Sequence, residues 1–446
     1  MSIFLIAGAG HGGLTAALRL AQAGHGVTVL ERSPEADLGY DWTDVIEPGV
    51  FAMNGFTQPD DVVFTRACWN TIIGPSKRAP IRPPWKFCRE MHIDRKVLLR
   101  LLIEDCRAAG VAFEFEVKIT GPLLQGSRVI GLQTENGNYP ADMVIDAAGA
   151  FSPVRSNMPE ETPVDRDLLP RQVYYAWRGI FERNPGPDPE DLNKTYLLHM
   201  GRKSMAWCIT EEGYMDVLTG LVGREQTPGE LASALADLRA DNPLLSDKLL
   251  RGGRVEAIPV RRPFAVFVAD GYAAVGDSAA MADPFGGSGI NIAMNAGKLL
   301  ADTILQDETR QYTAKHLWKY QHAFFTWSPP SAVPESTGAK TAVQKCDTEA
   351  MKTALLSMPP EHIDLLFTRG IINFEMAFLG KPLSNLDALK IFARNLHHMP
   401  LLIRLVKMVL AQERIKKIAA AIPAQYNQAA IMAWKEKYNA FDRKEF

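Results

Sequence analysis

Six residues near the start of the chain, Gly8-Ala9-Gly10-His11-Gly12-Gly13, constrain the fold of this 446-residue sequence more than any other stretch. Before them, Ile3-Phe4-Leu5-Ile6-Ala7 is a continuous apolar run, as a parallel strand buried on both faces requires. After them, Leu14, Ala17, Leu18 and Ala21 recur at helical spacing until Gly24. Val27-Thr28-Val29-Leu30 then predicts a second strand, closed by Glu31. In a strand–turn–helix of this kind Gly8 permits the tight turn, Gly10 lets the backbone approach a pyrophosphate, and Gly13 lets helix and strand pack closely. The helix directs its amino end at the phosphates. Glu31 is placed to hold ribose hydroxyls, and its charge disfavours a 2′-phosphate, which leaves FAD or NAD at this turn. A glycine-rich structural loop is the competing reading of the motif alone, and the flanking elements argue against it. His11 reads as a solvent-facing turn residue.

A chain of this length suggests two or three domains, at about 100–200 residues each. Hydrophobic residues make up 47% and charged residues 22%, as in ordinary globular proteins. A net charge of -2 supplies no field to recruit nucleic acid, so no nucleic-acid partner is expected. Cys68, Cys88, Cys106, Cys208 and Cys346 are scattered, with no C-x-x-C pair, which argues against a disulfide framework and against a metal site. With no basic leader and no apolar window of roughly 18 residues, a cytoplasmic location is expected.

Residues 33–89 are irregular and proline-punctuated, so excursions over a cofactor or into a second domain are predicted there. Val97, Leu98, Leu101 and Leu102 mark an amphipathic helix ending at Gly110, followed by strands at 111–117, 129–134 and 143–147. Residues 172–221 alternate and are rich in aromatics, which predicts an antiparallel sheet. A helix at 227–239 and a strand at 272–275 follow. Ser328-Pro329-Pro330-Ser331 with Pro334 reads as a linker, and 336–446 as mainly helical.

Two later segments decide between FAD and NAD. Gly271-Tyr272-Ala273-Ala274-Val275-Gly276-Asp277-Ser278-Ala279-Ala280 continues as Asp283-Pro284-Phe285-Gly286-Gly287-Ser288-Gly289-Ile290-Asn291 and an Ala/Leu-rich helix. This resembles the second FAD motif shared by aromatic-hydroxylase-type flavoproteins and the geranylgeranyl reductase family. The resemblance implies that Asp277, after Gly276, bonds the ribityl chain. It also implies that Pro284, Gly287, Ser288, Gly289, Ile290 and Asn291 bring backbone N–H groups and a helix start to the isoalloxazine ring. A helix amino end stabilises negative charge on reduced flavin. The segment 142–155 resembles the family's strand–turn piece, usually ending Ala-Asp-Gly-x-x-Ser-x-Val-Arg. Ala148, before Gly149, stands where the aspartate is usual. The electron donor is therefore left open between NAD(P)H and a reduced redox protein. Arg95 matches the arginine that commonly reaches FAD in this fold, and Arg32 and Val117 are counted with the cofactor contacts.

The resemblance implies an α/β fold: a Rossmann-like FAD-binding domain, an antiparallel β-sheet substrate domain and a C-terminal helical region. The expected boundaries are 1–75, 90–165 and 255–330 for the first, 166–254 with contributions from 40–90 for the second, and 331–446 for the third.

The reaction is less determined than the cofactor. Hydroxylases of this type usually have a histidine where this chain has Met281. Arg254-Val255-Glu256-Ala257-Ile258-Pro259 looks similar to the Gly-x-Ile-Pro segment of geranylgeranyl reductases. Ala206-Trp207-Cys208-Ile209 resembles only the centre of their Tyr-x-Trp-x-Phe-Pro strand, and Gly39-Tyr40-Asp41-Trp42-Thr43-Asp44 lacks their loop cysteine. The expected function is reduction of C=C bonds in an isoprenoid or other small hydrophobic substrate by hydride from reduced FAD. The alternatives are an FAD-dependent monooxygenase and a flavin electron carrier. Trp42, Asp44 and Trp207 are the substrate-side candidates, against aromatic packing beside a solvated acid. No catalytic acid is identified.

Residues 390–417 hold Lys390, Arg394, Arg404, Lys407, Arg414, Lys416 and Lys417 among many apolar side chains. Such a helix suits peripheral contact with an anionic membrane, or covers the core with solvated basic residues. His397-His398 beside Pro400 reads as a helix break rather than a metal site.

Overall fold

The computed structural model describes residues 1–47, 49–59, 63–64, 70–82, 91–284, 287, 289–326, 342–368, 390, 393 and 396–443. The linker expected at 328–334, together with Cys68, Cys88, Ser288 and Arg394, lies outside these residues.

The apolar opening run forms the strand Ile3–Ala7 at the centre of a six-stranded sheet. Gly26–Leu30 and Met143–Asp146 pair with it in parallel on either side, and Tyr272–Ala274 extends the sheet beyond Met143–Asp146. Phe4, Ile6, Val144 and Ile145 are fully buried, as expected of strands covered on both faces. The helix His11–Gln22 packs across this sheet and against the helix Ile290–Leu305. The two helices approach where neither has a side chain: a Cβ on Gly297 would lie 2.1 Å from the Gly12 carbonyl oxygen.

A second six-stranded sheet has the order Leu245–Pro259, Val173–Arg183, Tyr214–Val222, Met205–Thr210, Asn193–Leu197, Asn70–Ile73. Its pairs are antiparallel except the last, where Asn193–Leu197 meets Asn70–Ile73 in parallel. Alternation along Val173–Arg183 sorts its side chains. Trp177 and Phe181 join a core cluster with Leu238 of the helix Pro228–Asp241, whereas Tyr174 and Arg178 face a cavity. That helix starts with a reciprocal cap, in which Thr227 accepts from Glu230 N and Glu230 from Thr227 N.

A small sheet joins the two parts. Thr43–Ile46 pairs with Met91–Asp94, and the latter runs straight into the helix Arg95–Ala108, whose start is capped by Asp94. Because strand and helix are adjacent in sequence, Arg95 is fixed at the helix start, on the wall of a cavity.

The helices Ala342–Ser357, Pro360–Thr368 and Met399–Ala420 cover the end of the second sheet. Their Leu355, Ile363, Phe367 and Leu401 close one apolar cluster with Ile72 and Leu197. The helix Gln428–Asn439 returns to the first core, where Trp434 and Tyr438 pack on Phe325. A buried Arg262–Glu349 pair at 2.5 Å ties the covering helices to the segment entering the parallel sheet. Among the described residues no helix is long and apolar enough to cross a membrane. Nor do three His, Cys, Asp or Glu side chains there meet in a way that could hold a metal.

Candidate functional site

A cavity of about 1320 Å³ runs from the first glycine turn to the covering helices. Sites for drug-sized ligands are typically about 300–1,000 Å³, so this one has room for a dinucleotide and a further molecule.

The glycines of the first turn let its backbone pack closely on the turn that follows Met143–Asp146. A Cβ on Gly8 or on Gly10 would lie 2.8 Å from the Ala147 oxygen, and Gly8 has φ +86°. Gly13 packs on the same residue, since its Cβ would meet that of Ala147 at 2.6 Å. Two helices, His11–Gln22 and Ile290–Leu305, present their amino ends to the cavity, with no side-chain cap and no acid in the first turn. Uncapped N–H groups and the positive end of each helix dipole suit an anionic ligand. Glu31 stands beside them, accepting from Ala9 N at 2.9 Å and Ser33 N at 2.8 Å.

The turn at 146–149 is clamped to the segment that follows Tyr272–Ala274. Asp146 is fully buried and accepts from Ser152 Oγ, Tyr272 Oη, Ser278 Oγ and Ala148 N, at 2.6–3.1 Å. Arg155, 2% exposed, donates to the carbonyls of Ser278 and Ala150. Ala148, Gly149, Gly276 and Asp277 thereby line one stretch of wall. Pro284, Gly287, Gly289, Ile290 and Asn291 continue it, and Arg32 and Val117 lie on the Glu31 side. These residues fit FAD: a side-chain-free glycine turn on the cavity wall, two open helix amino ends and an acid at the close of the second strand.

Deeper in, aromatic rings and guanidinium groups alternate along the wall. Arg95 lies 4.9 Å from the Tyr40 ring and 5.1 Å from that of Trp42, and Arg178 lies 5.4 Å from the rings of Trp42 and Trp207. Each cation has its own carboxylate. Asp44 takes Arg95 in a two-point pair at 2.6 and 2.5 Å, and Asp216 takes Arg178 likewise. Burial opposes the charge on Asp44, but the Arg95 guanidinium outweighs it and holds the carboxyl below its usual range. Burial likewise opposes the charge on Arg95, and Asp44 overcomes it. The competing reading of Asp44 as a solvated acid does not hold: the residue is 7% exposed and paired. The Nε1 atoms of Trp42 and Trp207 are buried without a hydrogen-bond partner.

His11 is also corrected. It does not face solvent but lines the cavity, and its Nε2 is buried and unpartnered. Burial, helped by Arg95, lowers its pKa to about 4, so the ring is neutral near neutral pH. Its place between two glycines that pack against other backbone was the available signal. Arg178 and Asp216 were missed as well, although Asp216 is the one charge in Tyr214–Val222 and Arg178 is flanked by apolar residues in the middle of Val173–Arg183. Part of the lining is an apolar pocket in which Leu197 and Leu198 cluster with Leu355, Leu356, Ile363 and Phe367. Cys106 and Cys208 are buried, free thiols, and burial pushes Cys208 up to about 12.

Comparison with known proteins agrees with this geometry. Residues 71–303 match the model of the FAD dependent oxidoreductase family, and residues 6–58 that of an NAD(P)-binding Rossmann-like domain. The digeranylgeranylglycerophospholipid reductase of Methanoculleus marisnigri is 25% identical over 319 residues, covering 67% of this chain and 75% of the relative. Reductase 1 of that name from Methanopyrus kandleri is 27% identical over 339 residues, covering 71% and 84%. A geranylgeranyl bacteriochlorophyll reductase-like structure from Thermoplasma acidophilum superposes with a TM-score of 0.71 at 18% identity, covering 91% of this chain and 99% of that one. The chain belongs to the FAD dependent oxidoreductase family and, within it, is similar to geranylgeranyl reductases.

Proposed function

We propose that this oxidoreductase reduces C=C bonds of an isoprenoid lipid or a closely related hydrophobic substrate. The observation that carries the reading is the continuity of the cavity, from the glycine turn at one end to the leucine-lined pocket under the covering helices at the other. FAD, when bound, supplies hydride for one alkene carbon, while the other takes a proton. Gly8, Gly10 and the two helix amino ends hold the pyrophosphate side, and Glu31 the ribose. Asp277, with Gly287, Gly289, Ile290 and Asn291, lies along the ribityl chain and ring. Arg95, fixed by Asp44, presents positive charge to the cofactor. Trp42 and Trp207 with the leucine pocket exclude water from the alkene. The names of the relatives support a lipid substrate, and a peripheral place at a membrane goes with one. The electron donor is NAD(P)H or a reduced redox protein.

The test is product analysis without oxygen. Holoprotein reduced by dithionite and mixed with a geranylgeranyl lipid should yield product heavier by two hydrogens per bond reduced. Product that forms only with oxygen and carries a new hydroxyl would mark a monooxygenase instead. Reoxidation only by another redox protein would mark an electron carrier.

A further inference from the structure

The helix Met399–Ala420 is apolar on two opposite faces, and only one of them packs on other described residues. Leu401, Met408, Ile415 and Ala419 point inward and are 0–3% exposed. Leu401 and Met408 belong to the cluster that also contains Leu355, Ile363 and Phe367. On the other side Ile403, Val406 and Leu410 follow at i, i+3 and i+7, with exposures of 49%, 49% and 64%. Val409, 50% exposed, flanks them. A surface helix ordinarily turns charged or polar residues to water on this face, and one that is apolar all round is normally covered.

The charges around this outer stripe have one sign almost throughout. Lys407 stands beside Leu410, and Arg414 and Lys417 continue the same face for two further turns, all of them exposed. Glu413 is the one acid among residues 399–420, and it pairs with Lys416 at 3.1 Å. An exposed apolar stripe bordered by lysine and arginine complements an anionic bilayer: the apolar side chains enter the acyl boundary and the cations meet the headgroups.

We infer that the outer face of Met399–Ala420 is a membrane-docking surface for an anionic lipid bilayer. The inference deepens the lipid-substrate reading and rests on it for its purpose. The inner face of this helix closes the cluster whose Leu197, Leu355, Ile363 and Phe367 line the cavity, so docking sets the leucine pocket one helix away from the lipid. Inserted to the depth of one side chain, the helix would lie in the interface plane, not across the bilayer.

The experiment uses the full chain with FAD bound and vesicles of phosphatidylcholine with or without phosphatidylglycerol. The protein should sediment with the anionic vesicles, weakly with the neutral ones, and be released by high salt. Leu410→Asp should lower partitioning roughly tenfold or more, and the pair Lys407→Glu with Arg414→Glu should abolish the preference for anionic lipid. Both variants change exposed positions, and an unaltered flavin spectrum verifies that they fold. Wild type that stays in the supernatant with anionic vesicles overturns the inference. So does a Leu410→Asp variant that binds as well as wild type. A dimer that dissociates on Leu410→Asp, with no vesicle binding, overturns it in favour of a second copy of the chain. Binding is read without turnover, so a protein that binds vesicles yet reduces no isoprenoid supports this surface while refuting the reaction.

Discussion

Asp44 grips the Arg95 guanidinium through both carboxylate oxygens, 2.6 Å from Nε and 2.5 Å from Nη2. The pair is built by topology. Thr43–Ile46 lies antiparallel to Met91–Asp94, and Arg95 is the first residue after that strand. Removing one partner of a buried pair leaves the other charge uncompensated, at about 3–5 kcal/mol, and an amide restores part of the hydrogen bonding. Asp44→Asn should therefore lower the stability of the apoprotein by about 2–4 kcal/mol in urea unfolding. A change below about 0.5 kcal/mol would mean that the pair is solvated and dispensable.

Gly297→Ala tests the contact between the two helices that carry the open amino ends. The new Cβ would lie 2.1 Å from a backbone oxygen in the glycine turn, which no rotamer change can relieve. Overpacking of this kind costs about 1–3 kcal/mol, and here it displaces the turn as well. FAD affinity by titration calorimetry should fall with stability. Gly229→Ala, with nothing within 4 Å of its Cβ, is the matched control and should be neutral or slightly stabilising. Equal behaviour of the two variants would refute the packing argument.

The pH dependence of the apoprotein should reveal His11. Its folded pKa is about 4 against 6.5 for an ordinary histidine, so between these values the unfolded chain binds more protons. Stability then falls as pH falls across this window, by up to about 3 kcal/mol. Asp44 acts lower: its carboxyl is held below the ordinary 3.8, so its contribution is present above that value and lost as the pH falls through the folded pKa. His11→Gln should flatten the slope between pH 6.5 and 4 and leave the lower loss in place. An unchanged slope would show that His11 titrates normally.

The parallel sheet was legible because its strands are short, apolar and bounded by glycine. The expected strand at 272–275 and the helix at 227–239 correspond to Tyr272–Ala274 and Pro228–Asp241. The strand Leu245–Pro259 was not legible. Gly252 and Gly253 interrupt it, both at positive φ, and its register against Val173–Arg183 shifts where they lie. That reads locally as a loop, and only pairing with Val173–Arg183 makes it a strand. The cofactor side of the site could be read because glycines and an acid recur at fixed offsets in chain order. The alternation of Tyr40, Arg95, Trp42, Arg178 and Trp207 could not, since the loop carrying Tyr40 and Trp42, the helix start carrying Arg95 and the two strands carrying Arg178 and Trp207 are far apart in sequence.

Trp207 separates substrate handling from cofactor binding. It lies on the cavity wall against the Arg178 guanidinium, two residues along its strand from Met205, which packs on the leucine cluster. Trp207→Ala should retain FAD while kcat/KM for an isoprenoid falls about tenfold or more, equivalent to about 1.4 kcal/mol. Steady-state kinetics with a flavin absorption spectrum measures both. Loss of FAD with activity per bound flavin intact would place Trp207 on the cofactor side.

The most direct test of a single cavity joining flavin to alkene is anaerobic mixing of reduced holoprotein with a geranylgeranyl lipid, followed by flavin absorbance. The account predicts reoxidation without oxygen, at a rate that saturates with lipid and drops in Trp207→Ala. Flavin that stays reduced with lipid and reoxidises only when oxygen is admitted would contradict it.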